Sequence, residues 1–327
     1  MIARTASLLV RMLRFRVAVT MWTFMLLGLA AHAGPTLSLD LVLATVALAA
    51  SYVTATTLND IADEPIDRVN RPRDRGRPLV WGDATTADLR RCYGTATGLA
   101  VAAAVPLGPF GAAAIGTSLL LSWAYSAGPI RFSRRAVLAP LALSAAYVIV
   151  PYWLGLVLAE DRWRSSDVPI VIGLFVLFTA RIVLKDFRDR LGDERYGKPT
   201  LLFRLGKRVT CAGSMVGAAI GSAILIVAIA PTPLVASILV VPVAAIEWML
   251  VRLRAAADPR SEQIAIGLAA RAGNCLLLSL LAILLLRAEE ATHDDTALVV
   301  GLIVATFTAA FLGPARHPET VKIGYKA

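Results

Sequence analysis

Residues 37–58 read LSLDLVLATVALAASYVTATTL, and Asn59-Asp60-Ile61-Ala62-Asp63-Glu64-Pro65-Ile66-Asp67 follows at once. The first run carries a single charge, Asp40. As a helix rising 1.5 Å per residue it extends about 33 Å, enough to cross a hydrocarbon core of about 30 Å. The second run is crowded with acid. An apolar helix that ends in carboxylates predicts a membrane span with its chemistry at the membrane surface.

Similar apolar runs recur near 17–33, 91–107, 109–128, 136–158, 168–184, 208–229, 232–250, 264–286 and 297–313, which makes ten candidate spans. The whole chain of 327 residues is 57% hydrophobic and 17% charged, with a mean hydropathy of +0.68. Soluble domains have about 45–50% apolar and about 25% charged residues. This composition excludes an ordinary soluble enzyme, a disordered chain and a collagen-like fibre. It predicts an all-α fold, a polytopic transmembrane helical bundle of nine or ten spans, with residues 1–327 as one domain. Cys92, Cys211 and Cys275 lie far apart, as do His32, His293 and His317, so neither a disulfide scaffold nor a histidine-built zinc site is expected. No cleavable signal peptide is expected, because four arginines precede the first apolar run and no small-residue cleavage site follows it.

The formal net charge is +10. Ten spans with a cytoplasmic N-terminus put 59–90, 129–135, 185–207, 251–263 and 314–327 on one side. That side then holds 28 basic and 14 acidic residues, and the opposite side three basic and eight acidic. Such asymmetry is the positive-inside signal of a multi-pass protein of the cell membrane, with both long loops cytoplasmic. The charge is therefore a topology signal and not a nucleic-acid footprint. Arg181, Arg271 and Glu247 remain at membrane depth, where ionisable groups are functional by default, although each lies close enough to a span end to snorkel.

The two long loops share a pattern. The first has Asp60, Asp63 and Asp67, then Asn70-Arg71-Pro72 and Arg77-Pro78. The second has Lys185-Asp186, Asp189 and Asp193, then Gly197-Lys198-Pro199-Thr200-Leu201. Both contain D-x-x-D-x-x-x-D. If each loop continues its span as a helix, the three carboxylates fall on one stripe. Like charges so placed repel unless a cation intervenes. Magnesium is bound through one or two carboxylates together with substrate phosphates, so the pattern suits a metal–diphosphate complex. A solvated charge run is the plain alternative, and the repetition of the spacing weighs against it. Pro65 inside the first acidic stretch predicts a kink between Asp63 and Asp67, since an interior proline costs about 3 kcal/mol.

These loops resemble the two aspartate motifs of the UbiA-type intramembrane prenyltransferases, and Tyr125-Ser126-Ala127-Gly128-Pro129-Ile130-Arg131-Phe132 is similar to the loop after that family's fourth span. The family usually has nine spans, one fewer than the ten runs here. The resemblance implies a central cavity open toward the cytoplasmic face and an isoprenyl diphosphate bound between the motifs. Asn59, Asp63 and Asp67 would hold one Mg2+, and Asp189 and Asp193 a second, with Asp60 and Asp186 as ligands or close behind them. Asn59, Arg71, Arg77, Lys185 and Lys198 would meet the diphosphate, and Arg14 or Arg16 could join them. Asp63, Asp67, Asp189 and Asp193 would assist departure of the diphosphate, and Tyr125 would face the allylic cation. The implied reaction joins the isoprenyl group to an aromatic, quinone-precursor or lipid-alcohol acceptor, with membrane lipid around the isoprenoid tail and no nucleic acid involved. A UbiA-like terpene cyclase is the nearest alternative. A cation-binding transporter is the remote one, since the aspartates gather at helix ends and not along a pathway.

Overall fold

A computed structural model describes residues 2–160, 162–230, 232–288 and 293–320. No strand occurs among the described residues. Among the described residues eight helical stretches are long and apolar enough to cross a membrane, and nine when the bent pair at the N-terminus counts as one. One of the eight, Thr86–Ser126, would be about 60 Å long if straight, twice the hydrocarbon thickness. It is instead divided by a 3-10 turn at Val105–Leu107 and by Gly108, whose φ of +78° leaves the helical region. The products are α6 (Thr86–Ala104) and α7 (Gly108–Ser126), which pack on each other and on α3 (Leu39–Ala62). Counted separately they bring the tally to ten, so the expected nine or ten spans hold. The basic residues at 322 and 326, part of the tail used in the charge argument, lie outside the described residues.

The chain forms two compact units. The first comprises Met1–Leu29, Thr36–Arg162 and Asp189–Arg204. It opens with α1 (Ile2–Met12) and α2 (Phe15–Ala30), bent by 62° at a break that contains Arg14, which has φ +43°. The basic N-terminal flank is thus a helix of its own. It is fastened to the loop before α6, where Arg11 donates to Asp83 at 2.8 Å and Arg4 to the Asp83 carbonyl at 3.0 Å. α4 (Glu64–Asn70) and α5 (Pro78–Trp81) follow α3 in the first acidic loop. Thr85 and Asp88 form a reciprocal cap that starts α6. α8 (Leu138–Ser144) and α9 (Val150–Leu158) make one span through a π-helical turn at Ala145–Ile149.

Small side chains let these helices approach closely, as membrane helices require in the absence of a hydrophobic drive between them. Ala44 and Ala47 of α3, Ala100, Ala103 and Ala104 of α6, and Ala114 of α7 are buried together. α2 meets α9 backbone to backbone. A Cβ on Gly28 would stand 2.2 Å from the Tyr152 carbonyl oxygen, and one on Gly155 would stand 2.1 Å from that of Met25.

The second unit comprises Ala30–Pro35, Trp163–Arg188 and Leu205–Ala327. It holds α10 (Asp167–Ile182) with a 3-10 extension at Val183–Phe187, and most of α12 (Leu201–Ile229), which is kinked at Gly206. α11 (Arg190–Arg195) between them belongs to the first unit. α13 (Pro233–Ala255) and α14 (Pro259–Ala288) pack along their length, and α15 (His293–Phe307) and α16 (Gly313–Arg316) close the chain. Exposed Val227 (86%) shows the apolar exterior expected where the solvent is lipid.

Candidate functional site

The two acidic motifs break their helices at the same place. α3 ends at Ala62, and α4 begins at Glu64 with Pro65 in its first turn. Asp63 stands between them at φ −108°, ψ 11°. In the second motif, the 3-10 turn ends at Phe187 and α11 begins at Arg190, with Asp189 ahead of it at φ −95°, ψ 8°. Both middle aspartates therefore occupy the sparsely populated bridge region in which active-site residues are often found. This corrects the expectation of three carboxylates on one continuous helical stripe. It also reassigns Pro65, which initiates a helix where its missing N–H costs nothing, and does not kink one from within.

The short helices α4 and α11 pack together in the first unit. Asn70 is buried, and its Oδ1 accepts from the Gly192 backbone N–H at 2.6 Å. Gly192 has to be glycine, because a Cβ there would lie 2.6 Å from the Ile66 carbonyl oxygen and 2.7 Å from Asn70 Nδ2. Gly197, at φ +58°, turns the chain after α11, and the Lys198 N–H donates back to the Asp193 carbonyl at 2.8 Å. That turn carries the Lys198 side chain to the first motif.

The resulting ion pairs cross between loops. Lys198 of the second loop donates to Asp63 of the first at 3.1 Å, and its Nζ lies 3.7 Å from Asp193. Arg71 of the first loop donates to Asp189 of the second at 2.6 Å. Arg77 bridges Asp60, at 2.8 Å, and Asp67. Asn59 donates to Asp63 at 3.2 Å. Asp60 is also gripped by Arg14 at 2.6 and 2.7 Å through both oxygens. Two arginines thus hold this buried carboxylate, which suits a positioning group better than a metal ligand. Lys185 and Asp186 lie in the second unit and pair with each other at 3.0 Å. Tyr125 is half-buried in the last turn of α7. Tyr147 meets Tyr52 edge-on at 5.9 Å. Arg16 is exposed.

One residue of this cluster is missing from the sequence reading. Arg131 donates to the Ala62 carbonyl at 2.8 Å and to Asp63 at 3.3 Å, from a backbone at φ +40°. It lies in the third motif, and only its place at the motif's end could have flagged it. A non-glycine residue in the left-handed region is strained by roughly 1 kcal/mol or more, a feature concentrated at functional positions.

Five carboxylates, of Asp60, Asp63, Asp67, Asp189 and Asp193, face five cations, of Arg14, Arg71, Arg77, Arg131 and Lys198. Among the described residues no three acidic, histidine or cysteine side chains are grouped as ligands of one ion. The donor set nevertheless fits magnesium. It is made of hard oxygens distributed over two motifs, which suits ions held by one or two carboxylates each and completed by phosphate. Buried donors also stand unspent: Nε of Arg71, Arg77 and Arg131, and Nδ2 of Asn70, have no hydrogen-bond partner. Buried polar groups normally have one, so these donors are available to an anion.

A family pattern described as the UbiA prenyltransferase family matches residues 20–270. The chain is 34% identical over 187 residues to homogentisate phytyltransferase of a Synechocystis species, covering 55% of this chain and 59% of that protein. It is 29% identical over 154 residues to digeranylgeranylglyceryl phosphate synthase of Thermococcus gammatolerans, covering 46% and 52%. The chain therefore spans between half and three-fifths of the length of these curated relatives. Its fold is that of a UbiA homolog from Archaeoglobus fulgidus solved with GPP and Mg2+, with a TM-score of 0.61 at 16% identity, covering 92% of this chain and 99% of that one.

Proposed function

Because this chain belongs to the UbiA prenyltransferase family, we propose that it transfers an isoprenyl group from an isoprenyl diphosphate to an apolar acceptor, with Mg2+, at the cytoplasmic face of a membrane. Residues 1–327 act in this as one enzyme domain. The observation that carries the reading is the crossed pairing of Lys198 with Asp63 and Arg71 with Asp189, surrounded by buried donors without partners. The Mg2+ in the Archaeoglobus homolog and the hard-oxygen donor set here support the metal.

Asp63, Asp67 and Asn59 would hold one ion, and Asp189 and Asp193 a second. When bound, the metal supplies Lewis-acid neutralisation of the leaving diphosphate. The remaining work belongs to the chain. With those carboxylates engaged as ligands, Arg71, Arg77, Arg131 and Lys198 would make charge-assisted bonds to diphosphate oxygens. Asn70 offers its idle Nδ2 to the same anion. Asp60, locked between Arg14 and Arg77, holds Arg77 in position. The apolar helices exclude water from the allylic C–O bond as it ionises, and Tyr125 presents an aromatic face to the cation. The acceptor then attacks and passes its proton to a carboxylate.

The test is diphosphate release by the purified protein with Mg2+ and C10, C15, C20 and longer diphosphates, with and without aromatic and lipid-alcohol acceptors. Release that depends on acceptor is expected. No release under any pairing overturns the reading, and release that ignores acceptor transfers the chain to the cyclases.

A further inference from the structure

Residues 1–16 and 71–91 hold ten arginines against three aspartates. Six of the ten are engaged in ion pairs. Arg14, Arg71 and Arg77 meet carboxylates of the site. Arg4, Arg11 and Arg91 meet Asp83 and Asp88. Arg16, Arg73, Arg75 and Arg90 are exposed and have no carboxylate partner among the described residues. Within the run 71–77, therefore, the first and last arginines turn inward to Asp189 and Asp60, while the middle two stay outside.

These segments adjoin within the first unit. α1 buries Leu8 and Met12 in one apolar cluster with Leu79, and with Leu89 and Cys92 of α6. Arg11 donates to Asp83 at 2.8 Å and also to the Arg75 carbonyl, which fastens the stretch 75–83 along α1. The outward surface is not polar throughout. Val10 of α1 is 73% exposed, and Phe15, just past the break, is 64% exposed. Trp81 is 40% exposed, with the Arg75 guanidinium 5.1 Å above its ring.

The depth of this surface follows from the span it adjoins. Phe15 opens α2 and meets Trp22 edge-on at 5.8 Å. The 62° bend turns α1 away from the axis of that span and toward the membrane plane. Exposed apolar side chains on such a helix belong at headgroup depth, a level that tryptophan also favours. Arginine reaches lipid phosphate there while its stem lies along apolar neighbours. Four guanidinium groups without carboxylates are complemented by an anionic leaflet and not by a zwitterionic one. A topology signal would need only their charge, whereas here the charges share one fastened surface with Val10, Phe15 and Trp81.

We propose that α1 and the turn at 73–82 form a docking surface for anionic lipid. Val10, Phe15 and Trp81 insert between headgroups, and Arg16, Arg73, Arg75 and Arg90 bind lipid phosphates. The surface is separate from the acidic cluster, and its occupancy does not depend on the reaction that the cluster performs.

Lipid binding tests this without turnover. The full chain in neutral detergent is titrated with short-chain phosphatidylglycerol and with the matched phosphatidylcholine, and thermal stabilisation is the readout. Phosphatidylglycerol is expected to act at a concentration about tenfold lower or better at low salt, and the advantage should shrink to about twofold in about 0.5 M NaCl. Arg73→Gln, Arg75→Gln and Arg90→Gln combined should cut the advantage about fivefold. Arg73→Glu alone repeats that test should the triple variant fail to fold. Val10→Asn should weaken both lipids alike, by about threefold. Arg204→Gln, Arg208→Gln and Arg260→Gln remove as many charges from exposed arginines elsewhere, and they should leave the advantage within about twofold of wild type. No advantage in the wild type overturns the proposal. Equal losses in the two triple variants also overturn it, since net charge would then be the cause. Competition by soluble glycerol 1-phosphate at the lipid's own concentration would mean a pocket for free anions, and the leaflet assignment would fall.

Discussion

The two aspartate motifs share a spacing and a backbone break but differ in what surrounds them. Asp63 and Asp189 occupy nearly the same φ and ψ, and each receives a cation from the opposite loop. Their upstream aspartates diverge. Asp60 is clamped by Arg14 and Arg77 in the first unit, whereas Asp186 pairs with its own neighbour Lys185 in the second. The shared part suits function, because two equivalent carboxylate sets suit a metal pair. The divergent part suits architecture, because only the first motif anchors the N-terminal break and the loop back from α4. A repeated motif can therefore carry a symmetric reaction on an asymmetric scaffold.

If the symmetry is functional, Asp63→Ala and Asp189→Ala should each lower diphosphate release by about 10³-fold or more, on the order of 4 kcal/mol of transition-state stabilisation. Both variants should stay folded by size-exclusion profile. A large loss in one and near-normal turnover in the other would break the equivalence. The asymmetry predicts a different pattern one position upstream. Asp60→Asn leaves two arginines facing a neutral amide and should destabilise the protein by about 3 kcal/mol. Asp186→Asn removes one pair whose lysine is partly exposed, so its charge can turn to water, and should cost less, about 1 kcal/mol. Thermal unfolding of the two variants checks this, and equal losses would remove the clamp from the account.

The interlock between the motifs can be tested without touching a charge. Gly192→Ala would drive a methyl into the Ile66 carbonyl and the Asn70 amide. Overpacking of this kind typically costs about 1–3 kcal/mol. The variant should lose both stability and diphosphate release, since it separates α11 from α4. Full activity in Gly192→Ala would mean that the motifs need not be held in contact.

Most of this architecture could be read from sequence. Apolar runs located the spans because hydrocarbon leaves little freedom in length, and the acidic loops were located by their spacing. The helix breaks at Asp63 and Asp189 were not readable: Pro65 is compatible with a kinked helix or with the first turn of a new one, and the second motif breaks without any proline. The crossed pairs were not readable either, since Lys198 and Asp63 are 135 residues apart and nothing local joins them. Arg131 stayed hidden because its reach depends on a positive φ at a residue type that rarely adopts one.

The third motif offers the finest contrast with the two aspartate motifs, because its tyrosine would act through a ring face and not through a charge. Tyr125 is half-buried in the last turn of α7. A cation over an aromatic face is stabilised by about 0.5–2 kcal/mol, so the effect is far smaller than that of a metal ligand. Tyr125→Phe keeps the ring and should change turnover by less than about threefold, whereas Tyr125→Leu should lower it by about tenfold with little change in KM. Equal losses in Phe and Leu would point to the hydroxyl, and then Tyr125 belongs with the polar groups that handle diphosphate or proton. The contrast between ring and hydroxyl thus decides whether the third motif serves the organic half of the substrate or its anionic half.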